Sequence, residues 1–256
     1  MEAWSCGAAG KVADRERRPA FYAASPGVAW RDWWTVLHPP YTAWHLAYVV
    51  IGAMLAPSPK LAPLFATLAA FFLAVGVAAH TLDELHGRPL RTSIPSSALI
   101  GAAGISLAGA AGLGGVGVDR VGLVLVPFIV VGVFLVVAYN AELFGGLVHN
   151  DFVFALAWGS FPVLTAYVAQ SRTLRLAPLL AAVAAFALSY AQRSLSTRAR
   201  MIRRSVDSVE GIVHTADGSS RVIDQAFLLQ PLEQALRALS WGAVALAAAL
   251  AVNRMT

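Results

Sequence analysis

Long apolar segments separated by short polar turns recur along this chain, and they constrain its fold more than any other feature. Seven of them predict membrane-spanning helices, at about 41–55, 61–82, 96–116, 121–139, 152–169, 176–192 and 236–252. Of the 256 residues, 58% are hydrophobic and 13% are charged, against roughly 25% charged in soluble domains. The sequence therefore predicts an all-α, polytopic membrane helix bundle of about seven transmembrane helices, with the lipid bilayer as its surroundings.

The distribution of basic residues predicts how this bundle is oriented. Residues 1–29 carry a basic cluster and are expected to be a poorly ordered cytoplasmic tail, with 30–256 forming the bundle. Most other basic residues fall between spans on the side of that tail, which favours a cytoplasmic N-terminus and an external C-terminus in the cell inner membrane. The formal charge of +5 reflects this bias, so we expect no nucleic-acid partner, and the sequence indicates no particular protein partner.

The most unusual polar stretch, 79–92, lies where the second predicted span ends. If the helix continues through it, His80, Asp83 and Glu84 are spaced i, i+3 and i+4, and lie on one face. Such groups are costly at the end of a membrane span, so a functional site is expected there. Arg88 and Arg91 follow as two nearby cations. The alternative is a polar helix end whose charges lie among lipid headgroups.

Two further polar sets are predicted on the same cytoplasmic side. One, after the fourth span, consists of Tyr139, Asn140, Glu142, His149 and Asp151; the other, after the sixth, contains Gln192, Arg193, Arg198 and Arg200. A weak repeat, 61–71 against 176–186 with eight of eleven residues identical, would set the arginine segment opposite the stretch 79–92. Simpler alternatives are a hydrogen-bonded histidine–aspartate pair and arginines that only set topology.

Histidines together with carboxylates favour a divalent metal. Imidazole suits zinc, iron or manganese, whereas magnesium prefers oxygen ligands. We predict that His80, Asp83 and Glu142, with His149 or Asp151, share one coordination sphere. His45, about a turn inside the first span, either contributes to this site or bonds a neighbouring carbonyl. The single cysteine, Cys6, allows neither a disulfide within the chain nor a cysteine-built metal site.

The segments Trp34-Thr35-Val36-Leu37-His38-Pro39-Pro40, His80-x-x-Asp83 and Arg88-Pro89-Leu90 resemble motifs of the UbiA superfamily of intramembrane prenyltransferases. On the family's Asn-Asp-x-x-Asp-x-x-x-Asp motif, His80 and Asp83 stand at the first two aspartates, while Ala79 replaces the asparagine and Gly87 the last aspartate. The second aspartate motif would fall near 190–198, where no carboxylate occurs. The resemblance covers about 33–198 and implies a UbiA-like bundle acting on a magnesium-bound prenyl diphosphate.

The expected function is a metal-dependent intramembrane enzyme for an isoprenoid or lipid, similar to a prenyltransferase or terpene cyclase. His80, Asp83, Glu84 and Glu142 are the predicted catalytic residues. The predicted substrate-binding residues are His45, Arg88, Arg91, Tyr139, Asn140, Gln192, Arg193 and Arg198. One alternative is an iron-dependent membrane oxidase or desaturase, and the other is a non-catalytic lipid-binding or transport protein.

Overall fold

The computed structural model describes residues 19–24 and 27–255, and these form eight longer helices, one three-residue 3₁₀ helix (Phe144–Gly146) and one short hairpin. The helices are α1 (Ala29–Val36), α2 (Pro39–Met54), α3 (Leu61–Leu85), α4 (Ser96–Val121), α5 (Leu123–Asn140), α6 (Asp151–Ser171), α7 (Leu176–Ser205) and α8 (Gln225–Met255). Strands β1 (Gly211–His214) and β2 (Ser220–Ile223) pair antiparallel between α7 and α8. The prediction of a helical bundle is therefore confirmed.

Six of the described helices, α3 to α8, are long and apolar enough to cross a membrane. They mark the chain as an integral membrane protein. The remaining predicted span is α2, whose 16 residues extend about 24 Å, shorter than the roughly 30 Å hydrocarbon layer. This helix nevertheless lies in the middle of the bundle, packed against α6 and α8, with Trp44, Tyr48 and Val49 buried.

Close packing of α2 depends on one glycine. A Cβ atom added to Gly52 would lie 2.2 Å from the Val163 carbonyl oxygen, so only a residue without a side chain lets α2 approach α6 this closely. Small residues at helix crossings have this effect in membrane bundles, because association there depends on van der Waals contact rather than on exclusion of water.

Hydrogen bonds between chain segments show that α2 to α8 alternate in direction. At one end, Arg254 in the last turn of α8 donates to the carbonyls of Met54, the last residue of α2, and of Ala56 just after it. At the other end, which we call the polar end, His38 at the start of α2 stacks on His80 near the end of α3. The helix ends that carry the three predicted polar sets all lie at this polar end.

Two helices contain wide π-helical segments at mid-depth, Phe72–Ala79 in α3 and Leu156–Ser160 in α6. A π segment inserts a residue into the α-helical hydrogen-bond pattern and leaves backbone groups available to side chains, and such segments are frequent at functional sites. Both segments contribute walls to the cavities described below.

The amphipathic helix α1 lies beside the loop that follows α3. Its buried Asp32 accepts hydrogen bonds from the backbone N–H of Ser93 at 3.0 Å and from the Ser93 hydroxyl. On the opposite face Trp30 and Trp34 are exposed. Amphipathic helices with exposed tryptophans are typical of segments that lie in the headgroup layer of a membrane.

Three predicted boundaries differ from the structure. The sixth span does not end near Gln192, since α7 continues for a further thirteen residues to Ser205, where no glycine or proline interrupts good helix-forming arginines. The segment between the sixth and seventh predicted spans contains the β1–β2 hairpin, whose turn includes Asp217 and Gly218, the latter at φ +84°. Residues 19–24 of the expected disordered tail pack on the polar end; residues 1–18 lie outside the described part of the chain.

Candidate functional site: connected cavities at the polar end

A cavity of about 250 Å³, which we call the outer chamber, opens at the polar end. Its walls come from residues 19–22, the ends of α3 and α5, and the arginine-rich part of α7. Its ionisable wall residues are His38, Asp83, His86, Glu142, His149, Arg193, Arg200, Arg203, Arg204 and Glu233. Four arginines and three carboxylates in one cavity leave its walls cationic.

A second cavity of about 80 Å³, the inner chamber, lies deeper along the same helices. It shares Asp83, Arg193 and Arg200 with the outer chamber, so the two adjoin. Its other walls are mostly polar or aromatic, and they are formed by His38, Tyr41, His45, His80, Tyr139, Asn140, His149, Phe154, Trp158, Gln192 and Ser196.

An apolar groove of about 140 Å³ continues towards the opposite end between α3, α4, α5 and α6. Its walls are alanines, glycines, valines, leucines and phenylalanines. Val75 and Trp158, which lie in the two π segments, border both this groove and the inner chamber. The three cavities therefore form one series that runs from charged, through polar, to apolar walls.

Three histidines of the chambers are oriented by backbone carbonyls. The Nδ1 atoms of His45, His80 and His149 lie 2.9 Å from the Trp158 oxygen, 3.1 Å from the Gly76 oxygen and 2.9 Å from the Tyr139 oxygen. A carbonyl can only accept, so Nδ1 carries the hydrogen in each ring and, in the neutral form, Nε2 carries the lone pair. The alternative prediction that His45 bonds a carbonyl is confirmed, and His45 also lines the inner chamber.

His38 connects the bundle to the N-terminal segment 19–24. Its ring stacks on His80 at 4.3 Å, and its Nδ1 atom is hydrogen-bonded to the Tyr22 hydroxyl. Burial, reinforced by the neighbouring His80, holds the pKa of His38 well below its ordinary value, while burial and Tyr41 raise the pKa of Tyr22. Both groups are therefore neutral near pH 7. The backbone of His38 is in the left-handed region at φ +46°, a strained conformation of the kind that clusters at functional sites.

The arginines of α7 differ in how they are neutralised. Arg193 pairs with Asp151 at 3.1 Å, and Arg203 pairs with Glu233 at 2.5 Å. Arg200 donates to the Thr197 hydroxyl and Arg204 to the Pro19 carbonyl, and neither has a carboxylate partner among the described residues. These two cations are therefore available to an anionic ligand in the outer chamber, which also contains the carboxylates Asp83 and Glu142.

The adjacent carboxylates Asp83 and Glu84 have different environments. Asp83 borders both chambers, and its carboxylate has no hydrogen bond or ion pair in the described part of the chain. Glu84 is fully buried outside the chambers, where its oxygens accept hydrogen bonds from Leu90 and Thr92. The structure therefore places only the first of these two predicted catalytic residues at the cavities.

Of the predicted substrate-binding residues, some line the chambers and others lie outside them. Arg88 donates to the Ile94 carbonyl and the Ser96 hydroxyl, so it braces the loop after α3, and Arg91 is exposed. Arg198 points away from the chambers and is exposed as well. Tyr139, Asn140, Gln192 and Arg193 line the inner chamber as expected of substrate-binding residues.

The predicted metal ligands are near one another without forming a single cluster. Glu142 lies 3.4 Å from His86 and 3.9 Å from His149 at the outer chamber, whereas His80 borders the inner chamber only. Among the described residues, no three or more histidine, cysteine, aspartate or glutamate side chains are placed to hold a metal ion.

Several residues of the site were not in the predicted set, notably Tyr22, Tyr41 and Arg204. The helical period of α7 offered one usable signal, because Arg193, Arg200 and Arg204 are spaced i, i+7 and i+11 and so share a face that excludes Arg198. No such signal existed for Tyr22, which reaches the chamber from the segment before α1.

No family model matches this chain, and comparison with curated proteins and with solved structures gave no significant match.

Proposed function

We propose that the protein is an intramembrane enzyme that acts on an isoprenoid or another lipid with an anionic headgroup. The observation that carries this proposal is the series of adjoining cavities, which offers the arginines Arg200 and Arg204 at the polar end and apolar walls between α3 and α6. An amphiphile would place its headgroup in the outer chamber and its chain in the groove, with the inner chamber between them. The cell inner membrane and a cytoplasmic polar end, expected from the basic residues, belong to the same proposal.

Arg200 and Arg204 are the proposed headgroup ligands. A guanidinium offers several N–H donors in a planar fork that matches phosphate oxygens, and such charge-assisted hydrogen bonds are about twice as strong as neutral ones. Because neither arginine is engaged by a carboxylate of the described chain, neither has to break an ion pair when the ligand enters. Arg193, already paired with Asp151, is better suited to holding the chamber wall.

Asp83 is the proposed protein ligand for a divalent cation. Magnesium is commonly held by one or two carboxylates together with phosphate oxygens of the substrate, so it does not need a cage of three protein side chains. When bound there, the ion would neutralise part of the charge of a leaving phosphate. The unpartnered carboxylate beside Arg200 fits this arrangement better than it fits a zinc, iron or manganese site built from several histidines.

The transfer or cyclisation of a prenyl group is the reaction implied by the resemblance to the UbiA superfamily. His149 and Tyr139, which line the inner chamber, are the proposed groups that would accept or return a proton there. The iron-dependent oxidase and the non-catalytic lipid-binding protein are the competing proposals, and the same binding experiment separates all three.

The experiment measures binding of farnesyl diphosphate and of farnesol to purified protein in nanodiscs, with magnesium or with EDTA. Arg200→Gln should weaken diphosphate binding about 10-fold to 100-fold, as expected for the loss of hydrogen bonds to a charged group, and should leave farnesol binding unchanged. Arg198→Gln, an exposed position on the same helix, is the matched control. Equal affinities of these two variants for the diphosphate would refute the headgroup site.

Asp83→Asn tests the cation. The variant should bind the diphosphate equally with magnesium and with EDTA, whereas the unaltered protein should need magnesium. Iron that co-purifies and is lost in the variant would favour the oxidase. Tight binding without any metal and without turnover would favour the non-catalytic protein.

The groove is tested by Ala110→Phe, which adds a ring to a groove wall on α4. Ala108→Phe, exposed on the same helix and outside all three cavities, is its control. Only the first should weaken farnesol binding. If both variants bind farnesol like the unaltered protein, the chain does not lie in the groove.

A further inference from the structure

Three buried polar atoms of the inner chamber have no hydrogen-bond partner in the described part of the chain. They are the Tyr139 hydroxyl, Oε1 of Gln192 and Nε2 of His38. All three residues line the inner chamber, and Tyr139 and Gln192 are each only 3% exposed. Most buried polar atoms in folded proteins are hydrogen-bonded, so three unpaired ones around a single cavity require an explanation.

The neighbouring polar groups do not share this property. His45 and His80 are bonded through Nδ1 to backbone oxygens, Asn140 donates to the Val136 carbonyl, and Ser196 donates to the Arg193 carbonyl. One further buried atom of the described residues, Nε1 of Trp44, is also unpaired and lies outside the chamber, so three of the four unpaired atoms surround this one cavity. Since an amide oxygen can only accept, Gln192 requires a partner that donates a hydrogen.

The position of the inner chamber limits what that partner is. The chamber lies between the cationic outer chamber, with which it shares Asp83 and Arg200, and the apolar groove, with which it shares Val75 and Trp158. Its volume of about 80 Å³ is several times the roughly 10–15 Å³ that a cavity needs to hold one water molecule, so it admits a short polar group. A short hydroxylated linker has this size, and an apolar linker there would leave all three atoms unpaired.

We infer that the ligand carries an uncharged hydroxyl group between its anionic headgroup and its apolar chain, as a monoacylglycerol phosphate does. This inference rests on the headgroup site of the proposed function and narrows the substrate to the second class named there, a lipid other than an isoprenoid. The phosphate lies with Arg200 and Arg204, the hydroxyl donates to Oε1 of Gln192 and accepts from the Tyr139 hydroxyl, and the chain enters the groove past Trp158.

A matched pair of ligands tests the inference. The first is 1-lauroyl-glycerol 3-phosphate and the second is the same molecule without its 2-hydroxyl, each titrated into the full-length protein in nanodiscs. The protein should bind the hydroxylated form about tenfold more tightly or better, because the analogue leaves buried polar atoms unpaired. Equal affinity for the two phosphates would overturn the inference and leave the proposed anionic headgroup site intact.

Two variants locate the effect. Tyr139→Phe removes only the unpartnered hydroxyl, and Gln192→Leu removes the amide, so each should reduce the preference for the hydroxylated ligand. Tyr48 is a buried tyrosine on α2 that lines none of the cavities, so Tyr48→Phe should leave the preference for the hydroxylated ligand unchanged. A preference that survives in both Tyr139→Phe and Gln192→Leu would overturn the assignment to the inner chamber.

Failure of the proposed function gives a different result. Arg200→Gln should weaken binding of both phosphates by the same factor and leave the hydroxyl preference unchanged. If the unaltered protein binds neither phosphate more tightly than uncharged monolauroylglycerol, the anionic headgroup site itself is refuted and the inference fails with it.

Discussion

Glu84 holds Thr92 by two hydrogen bonds, since its Oε1 accepts from the Thr92 backbone N–H at 3.0 Å and from the hydroxyl at 2.8 Å. The other carboxylate oxygen accepts from the Leu90 backbone N–H at 2.9 Å. These hydrogen bonds hold the loop after α3 against the helix beside the site. Asp83, the residue before Glu84, instead has its carboxylate at the cavities. Successive residues of a helix point about 100° apart, which is why adjacent carboxylates have separate roles.

Replacing Glu84 should therefore affect stability rather than ligand binding at the chambers. Glu84→Ala leaves two buried backbone N–H groups and a hydroxyl without their acceptor, and should lower the free energy of unfolding by about 3 kcal/mol. Asp83→Asn should change it by less than about 1 kcal/mol, since no bond is lost. Unfolding of both variants in detergent, followed by circular dichroism, checks this contrast. A Glu84 variant as stable as the unaltered protein would contradict it.

The stretch 79–92 shows what could be predicted from sequence and what could not. The expense of polar groups at a span end correctly drew attention to this stretch, and Asp83 and His80 do line cavities. The spacing of the two residues could not predict that Asp83 lines the cavities and Glu84 does not. That difference arises because backbone N–H groups of the loop after α3 donate hydrogen bonds to the Glu84 carboxylate. The metal cluster predicted from His80 and Glu142 likewise depended on how the loops at the helix ends fold, which the sequence does not show. It stays a prediction.

A buried ion pair between α7 and α8 gives a second prediction. The Arg203 guanidinium and the Glu233 carboxylate approach to 2.5 Å, and their side chains are 9% and 11% exposed. Glu233→Gln should lower the free energy of unfolding by about 3 kcal/mol, because it leaves a buried cation without its carboxylate.

The double variant Arg203→Met with Glu233→Leu is the control for that pair. Replacing both members of the pair removes the buried guanidinium together with the carboxylate that compensates it, so the double variant should be more stable than Glu233→Gln alone. Chemical unfolding of the three proteins under one set of conditions provides the comparison. A double variant less stable than the single one would show that the pair contributes through packing instead.

Gly52 gives a third prediction, for the crossing of α2 and α6. Gly52→Ala places a methyl group 2.2 Å from the Val163 carbonyl oxygen, so the helices must separate, at a cost of about 3 kcal/mol. At Gly101 on α4 an added Cβ meets no atom within 4 Å, so Gly101→Ala should leave stability unchanged or slightly raised. Melting temperatures in one detergent distinguish the two, and similar losses for both variants would exclude close packing as the cause.

The order of the helices could be predicted from the apolar runs, and helix starts at residues 61, 96 and 176 agree with the structure. The residues at which helices stop at the polar end could not be predicted, because arginine and glutamine have helix propensities similar to that of leucine. Asp217-Gly218 between short β-branched segments is a sequence pattern typical of a β-hairpin turn, and it could have predicted the hairpin at 211–223. The polar residues around it favoured the interpretation as a loop. The weak repeat predicted that the arginine segment lies opposite the stretch 79–92. Asp83 and Arg193 do line one chamber, whereas Arg198 of the same segment does not.

The last prediction concerns the two ends of the bundle. The hairpin follows α7 at the polar end, whereas the end of α8 is bound to the α2–α3 turn through hydrogen bonds from Arg254 to Met54 and Ala56. A reporter inserted at Asp217 and one fused after Thr256 should therefore lie on opposite sides of the membrane, whichever way the bundle is oriented. From the basic residues we expect the first to be cytoplasmic and the second external. Two reporters active on the same side would show that α8 does not cross, and cytoplasmic activity of only the second would invert the proposed orientation while keeping the alternation of the helices.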